Sequence, residues 1–150
     1  MTGKVRALLV RAREGAQEAL PEALRGQKID VTQAANCAEA VLTMWSDDPP
    51  QLVFTDLQLS DGNWTDILTL AAKTPMAVNV IVVAPFADVR LYVQAIERGA
   101  FDFIVPPLSG QELRHVVSIA AENVSRRRHH RLLSLPAMAA ATPAGKMERV

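Results

Sequence analysis

The chain has 150 residues, of which 49% are apolar and 21% charged, a composition typical of one globular domain with a substantial core. No apolar run approaches the roughly 20 residues of a membrane span, MTGKVRALLV at the start lacks signal-peptide features, and a lone Cys37 excludes an internal disulfide. A cytoplasmic protein is therefore expected. Residues 1–124 carry 10 basic and 15 acidic side chains, whereas residues 125–150 carry 6 and 1.

Five short apolar runs alternate along the chain with five helical patterns. Strands are predicted over 5–10, 29–34, 51–55, 78–84 and 101–105. Helices are predicted over 20–26, 36–45, 64–73, 88–99 and 109–133. Asn36 with Glu39, and Ser109 with Glu112, have the spacing of helix capping boxes.

This alternation predicts a parallel sheet covered by helices on both faces. The strand over 78–84 is almost wholly apolar and β-branched, as expected of a strand buried on both sides. Ligands of such folds bind beyond the carboxyl ends of the strands. The residues that follow each strand are therefore the candidate site residues.

Two stretches resemble the receiver domain of bacterial two-component response regulators, a likeness that covers residues 5 to about 125. LVFTDLQLSDGNWTDIL (52–68) is similar to the segment around that family's phosphorylated aspartate. ADVRLYVQAIERGAFDFIVPPLSGQEL (87–113) is similar to its fourth helix, fifth strand and the start of its fifth helix. The resemblance implies a doubly wound, flavodoxin-like (βα)5 fold with strand order 2-1-3-4-5. The receiver-like domain would span 1–125, and 126–150 would form a basic helix extension and an Ala/Pro-rich tail that is flexible or partly helical.

The resemblance places Asp56 at the phosphoacceptor position. Family members hold Mg²⁺ with two further acidic residues after the first strand, but these positions read Arg11 and Ala12. Because Mg²⁺ requires near-octahedral oxygen ligation, one carboxylate beside an arginine is a poor site. We expect weak or absent Mg²⁺ binding, no other cofactor and no metal ligands.

Three further positions depart from the family pattern. Ala84 replaces the hydroxyl residue that binds the phosphoryl group, and Pro106 replaces the lysine that contacts it. Phe103 fills the switch aromatic position and lacks a hydroxyl. The resemblance therefore implies an atypical receiver with no catalytic residues.

The basic side chain of Arg11 predicts an ion pair with Asp56, because the first and third strands are neighbours in this topology. A guanidinium matches a carboxylate bidentately and would depress the pKa of Asp56. Arg13 is the alternative partner. A simpler interpretation is that amides of the surrounding turns hold Asp56.

Three functions remain open. The first is an interaction module that binds a histidine kinase or an output protein and acts without normal phosphotransfer, with a homodimer through residues 88–125 as one arrangement. The second is a working phosphoacceptor at Asp56 with an altered metal site. The third is a nucleotide- or flavin-binding enzyme on the same topology, which the absence of a Gly-rich phosphate loop disfavours.

RRRHHR (126–131) is most simply a solvated helix end, where cations complement the helix dipole. Without interleaved aromatic residues, binding of nucleic acid by this run is not expected. Neither an enzymatic activity nor a membrane association is predicted.

Overall fold

A computed structural model describes residues 4–13 and 15–141, with side chains up to residue 133. The strands are β1 (Arg6–Val10), β2 (Asp30–Ala34), β3 (Leu52–Asp56), β4 (Gln58–Leu59), β5 (Gly62–Asn63), β6 (Asn79–Val83) and β7 (Asp102–Ile104). The helices are α1 (Leu20–Gly26), α2 (Cys37–Met44), α3 (Trp64–Ala72), α4 (Val89–Glu97) and α5 (Gly110–Ala141). The end of the predicted tail, residues 142–150, lies outside the described residues.

Five strands form one parallel sheet in the order β2-β1-β3-β6-β7. Counted among these five strands, this is the predicted order 2-1-3-4-5, so the predicted fold is confirmed. The register pairs Val10 with Thr55, so the residues after β1 lie beside Asp56 at the carboxyl edge. The small antiparallel hairpin of β4 and β5, which follows Asp56, was not predicted.

Each face of the sheet carries its own hydrophobic core. Successive side chains of a strand point to opposite faces, and β1 divides accordingly: Leu8 and Val10 belong to one core, Ala7 and Leu9 to the other. The first core packs against α2, α3 and α4, and the second against α1 and α5. Burial on both faces explains why the central strands are almost continuously apolar.

Helix α5 is longer than predicted and is attached to the sheet by its basic run. Ser109 and Glu112 form the predicted capping box. Arg127 donates to Asn79 Oδ1 at 2.6 Å, and Arg128 donates to the carbonyls of Ala77 and Pro50 at 2.8 and 2.9 Å. The prediction of a merely solvated run is therefore wrong for these two arginines. Within the described ranges, no helix combines the length and apolarity that a membrane span requires.

Candidate functional site: the Asp56 pocket

Asp56 is the last residue of β3 and is only 3% exposed. Its Oδ2 accepts a hydrogen bond from the main-chain N–H of Ala12 at 2.7 Å, and its Oδ1 accepts one from Gln17 Nε2 at 3.1 Å. The Ala12 amide reaches Asp56 because β1 and β3 are adjacent and parallel. The chain itself therefore engages both oxygens of the carboxylate.

Gln17 lies in the turn before α1 and is completely buried. Its Nε2 also donates to the carbonyl of Val10 at 3.0 Å and lies 3.4 Å from the carbonyl of Phe54. Its Oε1 has no hydrogen-bond partner. One side chain thus joins the carboxyl ends of β1 and β3 to Asp56.

Gly15 covers the carboxylate from the β1–α1 connection. A Cβ atom built on Gly15 would overlap Asp56 Oδ2 and Cγ and lie 2.9 Å from Oδ1. Only a residue without a side chain allows the main chain to approach this closely. The remaining opening beside Asp56 is a pocket of about 300 Å³, lined by Ala12, Gly15, Ala16, Asp56, Leu57, Gln58, Val83 and Pro85.

The predicted ion pair between Arg11 and Asp56 is wrong. No Arg11 nitrogen lies within 4.0 Å of an Asp56 carboxylate oxygen, and Arg11 Nη1 donates instead to Gln33 Oε1 of β2 at 3.1 Å. The Arg11 main-chain N–H also bonds to β2, at the Ala34 carbonyl. Arg11 therefore associates with the strand on the far side of β1 from Asp56. Arg13, the alternative partner, forms no ion pair with Asp56 either.

The pKa of Asp56 shifts in the direction opposite to the one predicted. Burial raises the pKa of the Asp56 carboxyl above its ordinary value of 3.8 and prevails over four influences that lower it. These are, in order, the hydrogen bonds from the Ala12 main chain, the Gln17 side chain and the Ala16 main chain, and the charge of Arg11. The turn-amide interpretation is therefore close to the observed arrangement, with a glutamine added.

The other predicted site residues lie around this edge and bring no polar side chain to it. Ala84 is buried, and its N–H donates to the Ile104 carbonyl at 2.9 Å. Pro106 precedes Pro107 through a cis peptide bond. Phe103 packs edge-to-face against Tyr92 with ring centroids 5.9 Å apart. Of the predicted residues, Ala12 and Asp56 line the pocket, whereas Arg11, Ala84, Phe103 and Pro106 do not.

These residues do not fit the magnesium site that the fold implies. Mg²⁺ prefers several oxygen ligands in octahedral geometry, and among the described residues Asp56 is the only acidic side chain that lines the pocket. In the described part of the chain, no three His, Cys, Asp or Glu side chains group closely enough to hold a metal ion. Among the residues that the structure describes, the donor set at this edge is therefore unsuited to a hard divalent cation.

The sequence profile described as "Response regulator receiver domain" matches residues 7–118. The chain is 29% identical over 115 residues to the response regulator protein PilR of Pseudomonas aeruginosa, covering 77% of this chain and 26% of PilR. It is 26% identical over 133 residues to the regulatory protein AtoC of Escherichia coli, covering 89% of this chain and 29% of AtoC. The chain thus spans less than a third of either relative.

The fold has close counterparts among solved structures. A response regulator structure from Chloroflexus aurantiacus superposes with a TM-score of 0.72 at 21% identity, covering 80% of this chain and 99% of the other. At this level of identity the likeness concerns the fold alone. It agrees with the five-stranded doubly wound sheet described above.

Sequence reasoning missed Gly15 and Gln17. Both lie in REGAQEAL, between the first strand and the first helix, where a glycine suggests only a turn and a glutamine beside Glu18 suggests a solvated position. The one available signal was topological, because this connection leaves the strand adjacent to β3. Any residue in it is a candidate neighbour of Asp56.

Proposed function

Because the chain belongs to the response regulator receiver domain family, whose members are signalling modules of two-component systems, we propose that it is an atypical receiver that acts through protein–protein contacts. Mg²⁺-dependent phosphorylation of Asp56 would be impaired or absent. A histidine kinase or an output protein would be the partner. The protein would act in the cytoplasm and would not be an enzyme.

The main support is that the Asp56 carboxylate is buried and hydrogen-bonded to the chain through both of its oxygens. Phosphoryl transfer requires a nucleophilic oxygen that reaches the phosphorus, and positive charge that stabilises the transferring group. Here one oxygen is bound to the Ala12 amide and the other to Gln17, and the residue is 3% exposed. Ala84 and Pro106 offer no hydroxyl or ammonium group.

Labelling with a small phosphodonor tests this proposal. The purified chain is incubated with ³²P-acetyl phosphate and Mg²⁺ beside an Asp56→Asn variant. We expect no labelling of the natural chain above that of the variant. Stoichiometric labelling lost in Asp56→Asn would instead support a working phosphoacceptor with an altered metal site.

Residues 88–125 are the proposed interaction face. Helix α4 buries only Ala95 fully, and Val89, Tyr92, Val93 and Ile96 remain exposed, Val89 to 78%. An apolar row of this kind is unusual on a solvated surface and typical of a contact site. Leu113, Val117 and Val124 of α5 lie in the same range but are buried in the core, so they are not part of this face.

The charges of α4 favour a second copy of this chain as the partner. Among the described residues, neither Arg90 nor Glu97 has an ion-pair partner within 4.0 Å. In an antiparallel arrangement of two α4 helices centred on Val93, Arg90 of each copy would approach Glu97 of the other. A two-fold interface is self-complementary in this way.

Sedimentation of matched variants tests the homodimer. Val93→Asp should shift the chain to a monomer, whereas Leu42→Asp, a change at an exposed leucine of α2 outside this face, should leave the association unchanged. A natural chain that is monomeric at all concentrations would contradict the dimer. Equal loss in both variants would contradict the assignment to α4.

We propose that the chain divides into a domain over 1–125 and an extension over 126–150. Helix α5 crosses residue 125 without a break. Arg127 and Arg128, just beyond that boundary, donate to the body of the domain. In this proposal, their engagement leaves less of the basic run available to nucleic acid.

A further inference from the structure

We propose that Gln17, together with Gly15, closes Asp56 to phosphodonors, so that the site stays closed even when the two missing acidic residues are supplied. The inference rests on the proposed function and deepens it. It assigns the closure to a positioning residue in the β1–α1 connection. The substitutions at Arg11 and Ala12 alone would then be insufficient to explain an inactive site.

The Gln17 amide is fixed by its own hydrogen bonds. A side-chain amide nitrogen carries two hydrogens, and Nε2 has near acceptors in the Val10 carbonyl at 3.0 Å and Asp56 Oδ1 at 3.1 Å. Both hydrogens are therefore engaged, one by the end of β1 and one by the carboxylate. Gln17 thereby stabilises the Asp56 carboxylate at Oδ1 and makes this oxygen a weaker nucleophile toward an incoming phosphorus atom.

The glutamine holds this position at a cost. Its Oε1 is buried without a partner, and an unsatisfied buried acceptor opposes folding. An apolar side chain at this position would avoid that cost. The polar group therefore serves its hydrogen bonds to the Val10 carbonyl and Asp56 rather than the packing of the core.

Gly15 completes the closure from the other side. Its main chain lies where any Cβ would overlap the carboxylate. Ala12 contributes only its main-chain N–H, which an aspartate at that position would retain. Acidic side chains at 11 and 12 would thus supply metal ligands without displacing Gln17 or Gly15.

Restoring the acids with and without Gln17 tests the inference. The base variant carries Arg11→Asp and Ala12→Asp; one derivative adds Gln17→Ala, and a matched control adds Gln111→Ala, at an exposed glutamine of α5 outside the Asp56 pocket. Each is incubated with Mg²⁺ and ³²P-acetyl phosphate, so that a carboxylate oxygen of Asp56 bonds to phosphorus as the bond from phosphorus to the acetyl oxygen breaks and acetate leaves.

We expect the derivative with Gln17→Ala to be labelled about tenfold faster, or more, than the base variant and the Gln111 control, a barrier difference of about 1.4 kcal/mol. Calorimetry should show Mg²⁺ binding in all three. If Gln17→Ala does not fold in this background, Gln17→Ser, too short to reach Asp56, provides the same comparison.

Two results would overturn the inference. One is labelling of the base variant as fast as the Gln17 derivative. The other is a folded, Mg²⁺-binding Gln17 derivative labelled no faster than the base variant. Labelling of the natural chain would contradict the proposed function itself, and the two failures are thereby distinguished.

Discussion

Asp56 and Asp61 lie five positions apart and both accept hydrogen bonds of similar length from the chain, yet their pKa values shift in opposite directions. Asp56 accepts from the Ala12 main chain and the Gln17 side chain at 2.7 and 3.1 Å. Asp61 accepts from the main-chain N–H groups of Cys37 and Ala38 at 2.8 and 3.1 Å. The pKa of Asp56 is raised and that of Asp61 is lowered.

The difference is one of burial. Asp61 is exposed, and the hydrogen bond from Cys37, at the start of α2, is the largest influence on its pKa. The N-terminal end of a helix also favours negative charge. Asp56 is enclosed, and removal of the charge from water prevails over the donors that remain. The hydrogen bonds lower the pKa of both carboxyls, but at Asp56 they do not offset the effect of burial.

Gly15 lies beside Asp56, and Gly62 follows Asp61. Replacing each glycine by alanine should give the largest difference in unfolding free energy between the two regions. Gly15→Ala should destabilise the fold by about 3 kcal/mol, the upper end of overpacking costs, because the new methyl group meets the enclosed Asp56 carboxylate. Gly62→Ala meets mainly the exposed Asp66 side chain, which can move aside at the loss of its hydrogen bond from the Asn63 N–H, and should cost less. Urea unfolding of both variants measures the difference, and equal losses would contradict the close packing at Gly15.

Removal of each carboxylate gives the next largest contrast. Asp56→Ala should lower the free energy of unfolding by about 1–2 kcal/mol, because the Ala12 amide and Gln17 lose their acceptor while the cost of a buried charge is relieved. Asp61→Ala removes only an exposed cap of α2 and should cost less. Chemical unfolding at neutral pH decides this, and a larger loss for Asp61→Ala would reverse the comparison.

The pH dependence of stability should have opposite signs at the two sites. The folded pKa of Asp56 lies above 3.8, so its contribution is greatest below that pH and is lost as the pH rises through the folded pKa. The folded pKa of Asp61 lies below 3.8; its contribution is present above that pH and is lost as the pH falls through the folded pKa.

Both contributions can be measured from the free energy of unfolding of three proteins, the natural chain and its Asp56→Asn and Asp61→Asn variants, at a series of acidic pH values. The stability advantage of the natural chain over Asp56→Asn should shrink with rising pH, and its advantage over Asp61→Asn should grow. Parallel curves for the two variants would show that burial does not distinguish the sites.

The smallest expected effect concerns Arg11. Since Arg11 binds Gln33 and forms no ion pair with Asp56, a double-mutant cycle of Arg11→Ala and Asp56→Ala should be additive within about 0.3–0.5 kcal/mol. A coupling energy clearly above this limit, measured by chemical unfolding, would show that Arg11 and Asp56 do form a direct ion pair.

Most of the fold was predictable because its signals are local. The β-branched run over 78–84, the capping residues Asn36 and Ser109, and the regular alternation of strands and helices each reflect short-range physics, and all agree with the structure. The β4–β5 hairpin was missed because two strands of two residues each carry too few positions for a period-2 pattern.

The candidate site was only half predictable. The position of Asp56 follows from its place at the end of a strand, but its partners depend on how the β1–α1 connection folds back over the sheet. Charge complementarity suggested Arg11, yet the side chain lies toward β2, and a neutral glutamine reaches the carboxylate instead. Composition does not distinguish a solvated glutamine from a buried one.

The anchorage of α5 also gives the molecule a mechanical property. From Arg128 to Ala141 the helix rises about 1.5 Å per residue, or roughly 20 Å in all, and Arg127 and Arg128 tether its base to carbonyl and amide oxygens at the amino edge of the sheet. A rod clamped at one end transmits tilt to its tip. A small rotation of α5 against the sheet would therefore be amplified into a displacement of several ångströms at Ala141, unless these arginine contacts break first.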